Sequence, residues 1–513
     1  MFSGDFEIHL TCSEWNADRL AEFAGRNGLK FSHIRLDRGA TPSQPMLTIP
    51  GSGTLDDLRA LALRWRAELI ASELRPVRTK IEAAPGNEGV PRSDDEADPE
   101  LYFEHHAKVL LPAGDVRTLV ALGDAVHGHG ARASRNARRR REDGREERFV
   151  TQRCHGVGRP TARARLDDLL AALRDGGFEV LEVEEEYVVH DDALSLDRGW
   201  LTSWSGATGE REGRMRTAPA GEPGYPATYR PLVTAPDAGI TQRATFDPAL
   251  LHFRNAYRAG EPVFEDATEG HRWHAAREAA MAHLLAVVAG SPWAGNLVLR
   301  GSVVLRAWLG EAARAPGDLD FVVVPADFAF EGPEAKSMLD GLIAAAAATP
   351  GAGLRPEDVV SEHIWTYERV PGRRLLFPFD VEGLPSGTVQ VDLVFNEKLP
   401  EPPIPVAVPP LGTSVLAASP SLSLAWKLQW LLTDLHPQGK DLYDATLLAE
   451  HTTVPLDLVR ALLGPEYGAR AADYTPEWFL SLKVDWPNFR DDHPTVTGEA
   501  DDWLRRLALA LDR

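Results

Sequence analysis

The segment Phe6-Glu7-Ile8-His9 returns as Phe103-Glu104-His105-His106, and the pattern around each copy repeats with it. An internal repeat constrains a fold tightly, because both copies must be built as the same supersecondary unit. The first copy opens with a strand at Phe6 to Leu10. A helix is expected at about Trp15 to Asn27, ended by Gly28, and then strands at Phe31 to Leu36 and Met46 to Ile49. Arg38-Gly39 and Pro42-Ser43 supply turn chemistry between those strands. A second helix spans about Leu55 to Ser72, with Thr54 as N-cap and Leu58, Leu61, Trp65 and Leu69 on one side. Val77 to Ile81 closes the unit.

An acidic stretch, about Ala84 to Glu100, links this copy to the next. There a helix is expected near Val116 to His127, then an arginine-rich hairpin, a helix at Thr161 to Arg174 stopped by Gly176-Gly177, and a strand at Phe178 to Val189. The order β-α-β-β-α-β is that of a ferredoxin-like sandwich. The expected fold class is α+β, with tandem ferredoxin-like lobes at residues 1–83 and 101–195. Residues 201–240, rich in Gly, Pro, Thr and Ser, read as a linker. Beyond it, helical pieces are expected at about Pro248 to Arg258 and Trp273 to Ala289, inside an α/β core over residues 246–400, with a helical C-terminal region over 401–513.

The formal net charge of −21 argues against a general nucleic-acid coat, since phosphate backbones are repelled overall. A local exception lies between Ala131 and Leu166, where twelve arginines stand against four acids. Arg138, Arg139, Arg140 and Arg141 sit at its centre, either as a solvated hairpin tip or as an RNA-contacting edge. Apolar runs are too short to span a bilayer, and the start, Met1-Phe2-Ser3-Gly4-Asp5, has no signal-peptide pattern. Two cysteines, Cys12 and Cys154, provide neither a disulfide framework nor a four-ligand zinc site, so the expected compartment is the cytoplasm.

Chemistry concentrates further on. Gly301-Ser302 follows the apolar segment Leu297-Val298-Leu299-Arg300 and opens a helix. Glycine allows close approach of a phosphate, and free N–H groups at a helix start favour anionic oxygens. Asp318 and Asp320 precede an apolar run to Val324 and lie on one face of a strand. Two carboxylates facing one way repel unless a cation or proton relieves them, and Mg²⁺ holding triphosphate oxygens is the usual reliever. Asp392 is the one acid in the strand Thr388 to Phe395, a costly placement unless it faces a site. Paired beside the first strand, it completes a cluster able to hold two metals.

Gly-Ser, a helix, Asp-x-Asp on a strand and a third strand Asp together resemble the DNA polymerase beta-like nucleotidyltransferase superfamily. Downstream, Ser423-Leu424-Ala425-Trp426-Lys427-Leu428 and Lys440-Asp441-Leu442-Tyr443-Asp444 look like the helical tail of the AbiEii/AbiGii toxin family. The resemblance covers about residues 246 to 460. Three departures stand out: Gly301-Ser302 where the family commonly has Gly-Gly, Ala315-Pro316-Gly317 where it has Arg-x-Ser, and Lys440 where an arginine often precedes the Asp-x-x-Asp element. The resemblance implies nucleoside monophosphate transfer from an NTP to an acceptor hydroxyl, with Mg²⁺ or Mn²⁺ as cofactor. The implied acceptor is RNA, with transfer RNA foremost, and a cognate antitoxin is an implied partner. Asp318, Asp320 and Asp392 would be catalytic metal ligands, with Gly301, Ser302, Lys427, Asp441 and Asp444 handling the nucleotide.

Other readings stand beside this one. The same site serves equally to hold a nucleotide without reaction. Lys440 and Asp444 lie at i,i+4, the spacing of an ordinary surface ion pair. His9-Leu10-Thr11 is similar to the His-x-Thr element of two-histidine phosphodiesterases, but the second copy reads His106-Ala107-Lys108, without the hydroxyl.

Overall fold

A computed structural model describes residues 2–39, 41–112, 115–138, 141–201, 226–235, 238–247, 257–364 and 370–513. It divides into two compact units. The first is residues 1–206 with a short later segment, Thr475–Leu482.

The first unit runs β1 (Ser3–Cys12), α1 (Ala17–Asn27), β2 (Lys30–Leu36), β3 (Ser43–Thr54), α2 (Leu55–Ala71) and β4 (Pro76–Ala83). The same order returns as β5 (Tyr102–Pro112), α3 (Val116–His127), β6 (Ala131–Asn136), β7 (Arg145–His155), α4 (Arg159–Asp175) and β8 (Glu179–Asp191). Within each half the strands lie in the order β4-β1-β3-β2 and β8-β5-β7-β6. Antiparallel pairing of β2 with β6 and of β4 with β8 closes them into one eight-stranded barrel.

Local chemistry sets these elements. Gly28 takes the left-handed conformation (φ 67°) that ends α1. Thr54 and Asp57 form a reciprocal capping box at the start of α2. On β1, Ile8 and Leu10 are fully buried in the apolar cluster shared with Leu20, Leu58 and Leu69. Strand alternation therefore turns Glu7, His9 and Thr11 to the barrel interior. The second half repeats this, with Ala107 and Val109 packed on Leu122 and Leu169. The interior is polar and ion-paired. Lys80 Nζ meets Glu104 at 2.5 Å, Arg153 bridges Glu104 and Asp197 at 2.5 and 2.6 Å, and Arg78 holds Asp191 at 2.5 Å.

The second unit opens with a hairpin, β9 (Ile240–Phe246) and β10 (Tyr257–Phe264). Arg258 is thus in a strand, where sequence periodicity gave a helix; residues 248–256 of that expected helix lie outside the described residues. The expected linker is only partly testable, since 202–225 lie outside the described residues. Its later portion is docked: Thr228 Oγ1 donates to Glu362 at 2.9 Å and the Leu232 amide to Gln242 at 2.7 Å.

There follow α5 (Ala267–Gly290), β11 (Leu297–Arg300), α6 (Ser302–Leu309), β12 (Leu319–Val323), α7 (Pro333–Ala348), β13 (Val360–His363), β14 (Gly372–Val381) and β15 (Leu384–Val394). Next come β16 (Ile404–Val408), β17 (Thr413–Ala417), α8 (Pro420–Thr433), α9 (Gly439–His451), α10 (Leu456–Tyr467), α11 (Trp486–Asp492) and α12 (Ala500–Leu511). Residues 404–417, assigned by sequence to the helical region, instead add two strands to the sheet. Its order is β13-β14-β15-β12-β11-β17-β16, mixed in direction. Helices α5 and α7 cover one face through Leu284, Val288, Met338 and Leu342, packed on Phe321, Val391 and Leu393. On the other face, Leu422 and Trp426 of α8 pack on Val298, Val322 and Val394. Among the described residues no helix is long and apolar enough to cross a membrane.

Candidate active site

The carboxylates come together through strand register. β12 and β15 are parallel neighbours with Asp320 directly opposite Asp392, and Asp318 lies one residue before β12. Apolar neighbours on both strands (Phe321, Val323, Val391, Leu393) face the helices, so alternation sends the three acids to the same side. Their oxygens lie within 4.8 Å of one another. Burial, and then the charges of Asp318 and Asp392, push the Asp320 carboxyl up to about 8. Asp392 is also raised, by burial against the opposing pull of Arg374.

Gly301 and Ser302 stand at the edge of this cluster. Gly301 adopts φ 77° and ψ −157° as α6 begins. A Cβ there would lie 2.4 Å from Asp320 Oδ2, so only glycine leaves the approach open. Ser302 is 2% exposed and its hydroxyl has no hydrogen-bond partner among the described residues. A buried hydroxyl without a partner is costly, and one at a helix start beside carboxylates is suited to a phosphate oxygen.

Three arginines and a glutamine, to which sequence reasoning gave no role, shape the site. Arg374 of β14 grips Asp392 with two hydrogen bonds, 2.8 and 2.7 Å. Gln390 donates to Asp392 at 3.0 Å and to Asp318 at 3.4 Å. Arg300, opposite Asp320 on β11, pairs with Glu397 at 2.9 Å and lies over the Trp426 ring. Arg314 holds Asp444 through two nitrogens at 3.1 and 3.0 Å. The signals were present: Arg374 and Asp392 face each other across a hairpin turning at Gly383, and Arg314 precedes the Asp pair by four residues.

The helical residues form a buried knot. Lys427 Nζ lies 2.7 Å from Asp441 and 3.0 Å from Asp444, all three nearly inaccessible. Burial disfavours the Asp444 charge, but Arg314 and Lys427 together hold its carboxyl below the usual range. The i,i+4 surface pair of Lys440 with Asp444 does not describe this geometry; Lys440 is exposed while Asp444 faces Arg314 and Lys427.

The arginine-rich hairpin lies in the other unit, and its described central arginines are ion-paired. Arg138 pairs with Asp18, and Arg141 pairs with Asp143 and Glu147. Arg139 and Arg140 lie outside the described residues.

A mixed sheet that sets three carboxylates beside a Gly-Ser helix start is the arrangement of a nucleotidyltransferase. Residues 283–506 match the family model described as nucleotidyl transferase AbiEii toxin, type IV TA system. The C-terminal half is an AbiEii-type nucleotidyltransferase enzyme domain. Among solved structures the chain is similar to MenT4, nucleotidyltransferase toxin Rv2826c from Mycobacterium tuberculosis H37Rv. That match has 18% identity and a TM-score of 0.30, and covers 47% of this chain and 83% of that one. No curated protein matches the chain.

Proposed function

We propose that the C-terminal half moves a nucleoside monophosphate from an NTP to an acceptor hydroxyl on RNA, with transfer RNA as the acceptor, as a toxin countered by a cognate antitoxin. The observation that carries the catalytic part is the register of Asp320 against Asp392 with Asp318 alongside. Three acids so placed fit a divalent cation, because burial and mutual repulsion otherwise force a proton onto Asp320. Mg²⁺ or Mn²⁺ held by Asp318, Asp320 and Asp392 would supply charge neutralisation for the triphosphate and activation of the acceptor hydroxyl. The cytoplasm, where NTP and transfer RNA are present, is the proposed compartment.

Gly301 and Ser302 receive terminal phosphate oxygens, through the backbone N–H groups of α6 and the Ser302 hydroxyl. Lys427, Asp441 and Asp444 act one step removed: they fix Arg314, which borders Asp318. Reaction then depends on positioning and charge, the two terms that dominate phosphoryl chemistry.

The two β-α-β-β-α-β halves are read as tandem ferredoxin-like lobes, residues 1–83 and 101–195, with the catalytic core over 246–400 and a mainly helical region over 401–513. The strand order β4-β1-β3-β2, repeated as β8-β5-β7-β6, supports this reading. The lobes serve as an accessory module, with Arg138 to Arg141 as its RNA-contacting edge. Phosphodiesterase chemistry there is disfavoured, because His9 faces Glu82 and His106 faces Glu104, carboxylates that repel a phosphodiester.

One observation favours a non-catalytic nucleotide-binding module: Arg374 already occupies both oxygens of Asp392. A single assay separates the two. Purified protein is given each α-labelled NTP with Mg²⁺ or Mn²⁺ and total RNA, beside an Asp318→Ala/Asp320→Ala control. Label entering RNA, and lost in the control, is the expected result; NTP binding without transfer would sustain the binding module instead.

A further inference from the structure

We propose that the barrel of the first unit contains a second, independent metal site: a divalent transition-metal ion bound by Glu7, His9 and Glu186. The site follows from comparing the two halves of the repeat. In β1, Glu7 and His9 lie opposite Glu82 and Lys80 of β4; in β5, Glu104 and His106 lie opposite Glu186 and Glu184 of β8. The last strands of the halves, β4 and β8, are themselves paired. Two equivalent clusters result, each taking Glu-x-His from one half and a glutamate from the other: Glu7, His9 and Glu186, and Glu104, His106 and Glu82.

The clusters differ in one residue. In the second, Lys80 brings its ammonium against both Glu82 and Glu104, so the chain supplies its own cation. The equivalent position in the other half is Glu184, an acid, so that half brings no ammonium of its own. A cation from solution is then the natural counterpart at Glu7, His9 and Glu186. Their ligand atoms lie within 4.8 Å of one another, and ligands at about 2.0–2.2 Å from an ion need only small side-chain rotations from there.

The imidazole is already set for the task. His9 Nδ1 is 3.0 Å from Thr48 Oγ1, which leaves Nε2 facing the carboxylates, 2.5 Å from Glu82 and 3.8 Å from Glu7. A ligand histidine fixed through its other nitrogen is the usual outer-shell device. Glu82 itself is 2% exposed, and its charge is met by the Lys80 ammonium and by the His9 imidazole. The set of one imidazole and two carboxylates suits Zn²⁺ or Mn²⁺ rather than a thiolate-seeking metal. Partial exposure of Glu7, His9 and Glu186 gives an ion a way in. Bound there, it would clip the two halves of the barrel across the β4–β8 seam.

The test uses the full chain with Asp318→Asn and Asp320→Asn, which removes ligands of the other acidic site. Calorimetric titration with Zn²⁺ and with Mn²⁺ is expected to show one bound ion, weakened at least tenfold by Glu7→Gln and by His9→Gln. Glu7 lies at the accessible side of the cluster, so its substitution leaves folding intact, as the unchanged melting temperature will report. A melting temperature raised by the ion, with no rise in Glu7→Gln, would support the clip. Absence of any bound ion, or an affinity untouched by both substitutions, would overturn the site without bearing on nucleotidyl transfer.

Discussion

Arg374 holds both oxygens of Asp392, at 2.8 and 2.7 Å, on the same face where Asp392 stands opposite Asp320. The guanidinium therefore competes with any cation for the third carboxylate of the site. Removing one member of a buried pair typically costs about 3–5 kcal/mol. Arg374→Gln should lower the metal-free Tm accordingly. Mg²⁺ should then raise the Tm of the variant by more than it raises that of the parent, because the released carboxylate gains a partner. Equal Mg²⁺-induced shifts in the two proteins would show that Asp392 does not meet the ion.

Asp320 makes the site pH-sensitive with a definite sign. Its folded-state pKa, about 8, lies above that of an unfolded aspartate, so the folded chain binds the extra proton. Metal-free stability should fall as pH rises from about 4 toward 8, by at most about 1.4 kcal/mol per pH unit from this group. Asp320→Asn should flatten that slope and be the more stable protein at pH 8. Mg²⁺ affinity should rise over the same window, as the competing proton leaves. Chemical denaturation at four or five pH values, with and without Mg²⁺, reads both effects; parallel curves for parent and variant would refute them.

Much of this was legible in sequence, for local reasons. Helix ends carry their own signals, so Thr54 and Gly28 marked α2 and α1 closely. Acids in apolar strands advertise a site, and so Asp320 and Asp392 stood out. What escaped depends on long-range pairing. Closure of the barrel rests on β2 meeting β6 and β4 meeting β8, which no local pattern encodes. Arg374 and Arg314 look like surface arginines until their strands and helices dock. The stretch at 404–417 is broken by Pro405, Pro409 and Pro410, so its two strands appear only when β17 finds β11. Arg258 was given to a helix because a short apolar run does not distinguish periods.

Gly301 and Ser302 should separate geometry from binding. Gly301→Ala places a Cβ 2.4 Å from Asp320 Oδ2 at φ 77°, so it should displace the carboxylate and reduce transfer by about two orders of magnitude or more. Ser302→Ala removes a buried hydroxyl that lacks a partner, so stability should stay within about 0.5 kcal/mol or improve. If that hydroxyl meets a phosphate, the KM for NTP should rise by about tenfold, the value of one lost hydrogen bond to a charged group. A Ser302→Ala protein with unchanged KM and lower stability would mean a structural hydroxyl.

Lys427 provides the sharpest distinction between holding the fold and touching the nucleotide. Its ammonium is buried and engaged by Asp441 at 2.7 Å and Asp444 at 3.0 Å, so Lys427→Met alone should destabilise by about 3–5 kcal/mol. Asp444 keeps Arg314 in that variant, whereas Asp441 loses the ammonium it faces. Replacing Asp441 as well, in Lys427→Met/Asp441→Leu, should recover most of the lost stability, because apolar substitution of a whole buried pair is often neutral. If Lys427 acts by fixing Arg314 and Asp444, the double variant should keep a KM for NTP within about threefold of the parent, well short of one lost charged contact. Thermal melts and steady-state kinetics on the two variants decide it: a stable double variant with KM raised by tenfold or more would put the lysine on the triphosphate instead.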